Sequence, residues 1–439
     1  MTPLLAAVRS ADLVRRIGRI SRSYGSVIES TGPDVFVGEL CEIRPRTGSR
    51  RVYAEVVGLR EGKVLMTPYE EPNGISLGSE VIATGASARV AVGDDLLGRV
   101  IDAFGKPLDS GPEPTPSARY PITPPPINPL HRARIRKILE TGVRAIDTLL
   151  TIGRGQRVGI FSGSGIGKSS LLGMIARNMN ADVNVIALVG ERGREVREFI
   201  EEILGPEGRT RSVVVVATSD QPPLVRLRAA LAATAIAEFF RDQGRDVVLT
   251  MDSITRFAMA QREIGLSIGE PPTARGYTPS VFAALPRLLE RGGAHDAGGS
   301  ITAFYTILLE GDDLNDPIGD AVRAILDGHV VLSRRLANQA HYPAVDVLHS
   351  VSRLLPQLAT DEEVKTVRQA IKTLNVYQEA KDLIDVGAYR SGMNPAIDQA
   401  IRLMPALETF LKQEPNVHVS RAKAIDELRQ ELTVSAGRS

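Results

Sequence analysis

Three hydrophobic rhythms follow one another along this chain of 439 residues. From Tyr24 to about Ala88 the apolar positions come in short β-rich pieces, among them Asp34-Val35-Phe36-Val37, Val52-Tyr53-Ala54-Glu55-Val56-Val57 and Lys63-Val64-Leu65-Met66-Thr67. Turn signals separate them at Thr31-Gly32-Pro33, Glu61-Gly62 and Pro72-Asn73-Gly74. Short strands so closely spaced predict a small β-barrel. From Gln156 the apolar runs become nearly continuous and alternate with helical patterns. The predicted strands are 158–161, 185–189, 213–217, 247–251, 301–308 and 329–332. Such runs belong to buried parallel strands covered by helices on both faces, an α/β fold. Beyond about Pro356 the strands give out, and 361–412 reads as helix, with Gly387, Gly392 and Pro395 marking a turn between segments.

The two ends of this pattern need separate reading. Leu4, Ala7, Val8, Ala11 and Val14 fall at helical spacing, and Leu13, Ile17 and Ile20 continue it on a shifted face. An amphipathic helix over 1–20 is predicted, fit to dock on a partner, on a membrane surface or on its own domain. Proline clusters at 111–116 and 124–129 cannot enter a central sheet and read as extended connection. The expected domains are the helix 1–20, a barrel 21–88, an α/β domain 89–357 and a helical domain 358–439.

Composition narrows the class. A content of 43% hydrophobic and 24% charged residues is that of a soluble globular protein. The net charge of +1, from 53 basic and 52 acidic residues, advertises neither nucleic acid nor an anionic membrane. Cys41 is the single cysteine, which excludes an internal disulfide framework and suits a reducing cytoplasm. Arginines at 9, 15, 16 and 19 interrupt the first apolar runs, so these do not read as a signal peptide. No segment approaches the ~20 apolar residues of a membrane helix.

The chemistry concentrates at Gly163-Ser164-Gly165-Ile166-Gly167-Lys168-Ser169-Ser170, which follows the apolar run 158–161 and precedes a helical pattern. Strand, glycine-rich loop and helix together make a phosphate-binding loop. Glycines let backbone N–H groups turn inward around phosphate oxygens, and the helix start adds unpaired N–H groups and a positive dipole end. Lys168 supplies a point charge for the β- and γ-phosphates, and the Ser169 hydroxyl is a ligand for Mg²⁺. Ser162 stands where the strict motif has glycine.

Ligands of parallel α/β sheets gather beyond the carboxyl ends of the strands. Asp252 follows the strand 247–251 in the position of an acid that holds Mg²⁺ through water. Glu191 follows 186–190 and is a candidate either to orient the water attacking the γ-phosphate or to satisfy a helix start. Glu310, Asp312 and Asp313 end another strand but read as a solvated loop before Leu314-Asn315-Asp316-Pro317. Arg353 lies near the end of the α/β region, and pattern alone leaves it between a surface charge and a phosphoryl-stabilising arginine. Tyr342 is either a loop aromatic or a stacking partner for a purine. The six histidines show no metal-ligand spacing.

With these motifs in view, nearly the whole chain resembles the rotary-type hexameric ATPases, most closely the flagellar and type III secretion export ATPases. The resemblance is carried by Gly98-Arg99-Val100-Ile101-Asp102 with Gly105 and Pro107, by Thr141-Gly142-Val143-Arg144-Ala145-Ile146-Asp147 and by the phosphate loop. It is carried further by Gly190-Glu191-Arg192-Gly193-Arg194-Glu195, Glu270-Pro271-Pro272, Leu326-Asp327-Gly328-His329 and His341-Tyr342-Pro343-Ala344-Val345-Asp346. The stretches 311–317 and 387–392 look more flagellar than virulence-type.

The resemblance implies a β-barrel, a RecA-type domain and a helical domain in each of six copies of a ring. It places Lys168 and Ser169 at phosphate and Mg²⁺, Glu191 as catalytic carboxylate, Arg192 beside the γ-phosphate and Asp252 as the Walker B acid. Tyr342 would pack on adenine and Arg353 would be donated across a subunit boundary. Family members usually carry alanine or glycine where Ser162 stands. The implied activity is Mg²⁺-dependent ATP hydrolysis energising protein export by a cytoplasmic homohexamer at the inner face of the membrane. Implied partners are a regulator or stator at the first helix, stalk and export-gate proteins, exported substrates and their chaperones, and no nucleic acid. Two other functions share the core motifs: a catalytic subunit of an ion-driven rotary ATP synthase, and a Rho-type RNA helicase. The latter needs an interleaved aromatic and basic groove, and the barrel region has Tyr24, Phe36, Tyr53 and Tyr69 without one.

Overall fold

The structure, a computed structural model, describes residues 16–46, 50–313 and 315–434. Six strands close into a barrel: β1 (Ile17–Tyr24), β2 (Val27–Thr31), β3 (Glu39–Arg44), β4 (Val52–Arg60), β5 (Lys63–Pro68) and β6 (Glu80–Ser87), in the order β1-β2-β5-β4-β3-β6. Ile20, Ile28, Cys41, Ile43, Val52, Ala54, Val56, Val64, Met66 and Val81 fill it, inward positions alternating with outward ones as the pleat requires.

Two expectations are corrected here. The helix expected over 1–20 falls mostly outside the described residues, and its last four positions, Ile17 to Ile20, are strand. Gly18 and Ile20 point inward in β1, and a Cβ on Gly18 would lie 2.1 Å from the Gly32 carbonyl. Pairing with β2 and β6 therefore overrides the helical spacing. The stretch Asp34–Val37 is a connection instead of a strand. Its Phe36 N–H donates to the Glu39 side chain, and the exposed Phe36 and Val37 have no neighbouring strand to cover them.

The central sheet runs β14-β13-β8-β12-β11-β9-β10-β7. Its strands are β7 (Val100–Asp102), β8 (Arg157–Ser162), β9 (Val183–Glu191), β10 (Ser212–Thr218), β11 (Asp246–Asp252), β12 (Ser300–Leu308), β13 (Gly328–Leu332) and β14 (Val345–Ser352). These pair in parallel except β14, antiparallel to β13 at the edge, and a two-residue strand, Gly293–Ala294, adds antiparallel to the start of β12. The continuous apolar runs divide by alternation. Val185, Ala187 and Val189 join one core with the long helix Pro223–Asp242, while Ile186 and Leu188 join a second with the helix following the phosphate loop. The six predicted central strands are present. The two at the sheet edges were not predicted, because β7 has three residues and β14 mixes apolar with polar positions.

Three helices, Asp361–Asp385, Pro395–Leu411 and Arg421–Val434, form the C-terminal unit. The Thr360 hydroxyl and the Glu363 carboxylate exchange hydrogen bonds with each other's backbone N–H, capping the first of them. The stretch Thr141–Asp147 is the dock for this unit. Buried Asp147 accepts hydrogen bonds from Thr141 N, Thr141 Oγ1 and Gly142 N, each 2.8 Å, while burial still pushes its carboxyl up to about 7. Gln413 then donates to Gly142 O at 2.7 Å and accepts from Arg144 N at 2.7 Å. Arg421 reaches Asp147 O at 3.1 Å and Glu363 at 2.6 Å. Among the described residues no helix is long and apolar enough to cross a membrane.

Candidate active site

The phosphate loop leaves the sheet at Ser162, the last residue of β8, and enters helix α1 (Lys168–Asn178). Gly165 and Gly167 take φ of +75° and +90°, a left-handed backbone that side chains disfavour. Ile166 is 1% exposed and pins the loop to the core. No side chain caps α1, which leaves its first N–H groups to a ligand.

Three charged groups converge beyond the strand ends. Lys168 Nζ lies 2.6 Å from Asp252 Oδ1 and 3.7 Å from Glu191 Oε1. Thr306 Oγ1 donates to the same Asp252 oxygen at 2.6 Å, which fixes the carboxylate at the end of β11. Register explains the convergence: Leu188 of β9 faces Asp252, and β9 runs on three residues to Glu191. Burial opposes the charge on Lys168, but the Asp252 and Glu191 carboxylates outweigh it and hold the ammonium above its usual range. Burial, then repulsion from Asp252, raises Glu191 to about 7 against the attraction of Lys168.

The remaining sequence candidates separate into two groups. Ser162, Gly163, Ser164, Gly165, Ile166, Gly167, Ser169 and Ser170 are on the loop or the first turn of α1, and Tyr342 stands beside them. A Cβ on Gly167 would touch the Tyr342 ring at 3.4 Å. Arg192 is directed to solvent, with an 81% exposed side chain 3.7 Å from Glu195, and does not meet Lys168 or Asp252 here. Arg353 is farther still. The neighbouring Ser352 pairs with Gly328, which faces Val158 near the start of β8. The phosphate loop begins four residues later, ~13 Å along the strand. Exposed Arg353 has no ion-pair partner among the described residues.

The structure adds groups to which the sequence reading gave no role. Glu195 shares a hydrogen bond with Glu191 and helps raise it. The Arg256 side chain lies against Gly190, where a Cβ would meet its Cβ at 2.8 Å, and its buried Nε has no partner. Its position depends on the phase of the helix after Asp252. The Asp312 and Asp313 side chains are solvent-exposed, as expected, but each carries an arginine partner. Asp312 pairs with Arg334 at 2.6 Å and Asp313 with Arg275 at 2.5 Å, because the turn carrying them folds back over the phosphate loop.

Comparison with known proteins agrees with this architecture at every level. Residues 20–85 match the beta-barrel domain and 142–352 the nucleotide-binding domain of the ATP synthase alpha/beta family. Residues 359–430 match the C-terminal domain of the type III secretion ATPase EscN. The flagellum-specific ATP synthase of Bacillus subtilis (strain 168) is 55% identical over 93% of this chain and 94% of its own length. The assembled ATPase EscN of the enteropathogenic E. coli type III secretion system superposes with a TM-score of 0.90, at 43% identity over 95% of this chain and 100% of its own. EscN in complex with its central stalk EscO gives 0.86 at 42% identity, over 95% and 100%. The C-terminal match and these relatives favour export over the synthase and RNA-helicase alternatives. The chain belongs to the ATP synthase alpha/beta family, in its flagellar and type III secretion branch, and is an export ATPase.

Proposed function

We propose that six copies of this chain form a ring in which each ATP is hydrolysed between the Lys168–Glu191–Asp252 cluster of one copy and Arg353 of the next, in service of flagellar protein export at the inner face of the cell membrane. The carrying observation is the separation within one chain. Among the described residues no arginine is bonded to the cluster, and Arg353 stands exposed and without an ion-pair partner at the far edge of the sheet. Phosphoryl transfer is carried by positioning and charge stabilisation, so a guanidinium supplied by a neighbour completes what one chain lacks. Ser169 and Asp252 offer one hydroxyl and one carboxylate, a donor set suited to an ion that keeps several waters and takes phosphate oxygens for the rest. These two residues would hold Mg²⁺ together with ATP, and the ion would supply neutralising charge for the phosphates. Lys168 binds the phosphates, Tyr342 flanks the base, and Glu191 accepts a hydrogen bond from the attacking water and orients it.

The assembled state and stalk complex of EscN support self-assembly and a stalk partner for this chain also. Export-gate proteins, substrates and their chaperones belong to the same reading, and the amphipathic spacing before residue 16 offers a place for a regulator. The test is mixing. Arg353→Ala and Lys168→Ala proteins, each inactive alone, regain activity together, because some interfaces then pair an intact cluster with an intact arginine. No recovery at any ratio overturns the shared site.

A further inference from the structure

Two loops remote in sequence hold the phosphate loop from outside. Arg334 opens the short helix Arg334–Asn338, after β13. Its Nη2 donates to Ser164 O at 3.2 Å, and its Nε donates to Asp312 Oδ2 at 2.6 Å. Asp312 holds a left-handed backbone, φ 58°, which non-glycine residues rarely take. The pair is packed so closely on Gly163 that a Cβ there would lie 1.9 Å from Asp312 Oδ1 and 2.7 Å from Arg334 Nη2. The turn carrying Asp312 is itself tied down. Arg275 bridges Asp313 at 2.5 Å and Asp316 at 3.3 Å, and Asp316 caps the next helix through Ile318 N and Gly319 N, both 2.9 Å.

A trans peptide points its C=O and its N–H in opposite directions. Whatever holds the Ser164 carbonyl outward therefore turns the Gly165 N–H the other way, away from Arg334. Gly165 is one of the two left-handed glycines of the loop, and a peptide between flexible residues flips easily unless something fixes it. We propose that Arg334, oriented by Asp312, is a positioning residue that sets the Ser164–Gly165 peptide so that the Gly165 N–H faces the phosphates. Arg334 stays paired with Asp312 and does not contact the nucleotide. This rests on the reading of the loop as the ATP site, and it adds a second support outside the motif. Asp312 fixes the guanidinium plane by a two-point contact, with Nη2 also 3.2 Å from Oδ1, as a carboxylate matches a fork of donors.

The experiment measures binding of ADP and of a non-hydrolysable ATP analogue to the full chain, alongside steady-state kinetics and the melting temperature without nucleotide. Arg334→Gln and Asp312→Ala each weaken both nucleotides about 10-fold and raise KM alike, with kcat within about 2-fold, the pattern of lost uniform binding. The double variant is no weaker than the worse single, since Asp312 acts through Arg334. Arg334→Lys, which keeps the charge without the fork, loses about half as much on a logarithmic scale. Should Asp312→Ala lower the melting temperature sharply, Asp312→Asn replaces it with the same expected order. Unchanged or tighter binding in Arg334→Gln overturns the inference, as does a double variant whose loss equals the product of the singles. Parent and Lys168→Ala proteins separate the two levels. If the parent itself binds no nucleotide the ATP reading fails, and if the parent binds and Arg334→Gln matches it, only this inference does.

Discussion

The two ends of the central sheet treat charge in opposite ways. At the carboxyl ends of β8, β9 and β11 the central charges are engaged with one another: Lys168 with Asp252 and Glu191, Asp252 with Thr306, Glu191 with Glu195. Around the lower end of β14, Arg353 is exposed and has no ion-pair partner among the described residues. A lone surface arginine is ordinarily unremarkable. Here it follows an edge strand, at the opposite end of the sheet from the Lys168–Glu191–Asp252 cluster, to which no arginine is bonded among the described residues. The difference teaches that one chain presents two half-sites, one crowded and one bare, which meet only when copies assemble.

The largest way to break the comparison is to empty the crowded half. Lys168→Ala removes the cation held between Asp252 and Glu191, leaving one buried and one half-buried carboxylate facing incoming phosphates. ATP binding should fall below detection in a titration with a fluorescent nucleotide, and retained affinity would mean the loop is not the phosphate cradle. Glu191→Gln keeps the shape but removes the hydrogen-bond acceptor for water. Turnover should drop by about 10²- to 10⁴-fold with binding nearly intact. A variant as active as its parent would strip Glu191 of its role.

The bare half is tested by Arg353→Ala. An arginine that meets the phosphoryl group chiefly in the transition state contributes about 10³-fold or more to kcat, so kcat should fall by that order while ATP affinity changes little. Equal losses in both would assign Arg353 to the packing of copies instead of to their chemistry. The measurement is steady-state hydrolysis beside equilibrium binding, at a protein concentration where activity no longer rises with concentration.

What the sequence disclosed follows the same division. Groups fixed by local order were legible: the loop by its glycines, Asp252 and Glu191 by their place just past apolar runs. Groups fixed by tertiary closure were not. Arg334 and Asp312 are 22 residues apart, and no spacing rule joins either to Ser164. Arg256 depends on helix phase, and β14 on an edge position that tolerates Asp346 and His349. The first strand misled for a related reason. Ile17 and Ile20 satisfy helical spacing, but Gly18 pressed against Gly32 decides for the sheet, and that contact lies 14 residues downstream.

The smallest effect sharpens the comparison at the boundary between loop and core. Ser162 is fully buried at the end of β8, and its hydroxyl has no hydrogen-bond partner, although its backbone carbonyl accepts from Leu309 N at 2.9 Å. A buried hydroxyl without a partner costs about 1–3 kcal/mol relative to its hydrated state, so removing the oxygen is favourable where the Cβ is already accommodated. Ser162→Ala should raise the melting temperature by about 2 °C for each kcal/mol regained in a domain of this size and leave ATP affinity unchanged. A fall in melting temperature would show that the hydroxyl is satisfied. A rise accompanied by weaker ATP binding would show instead that the hydroxyl serves the loop when phosphate is bound, moving Ser162 from the core into the crowded half of the site.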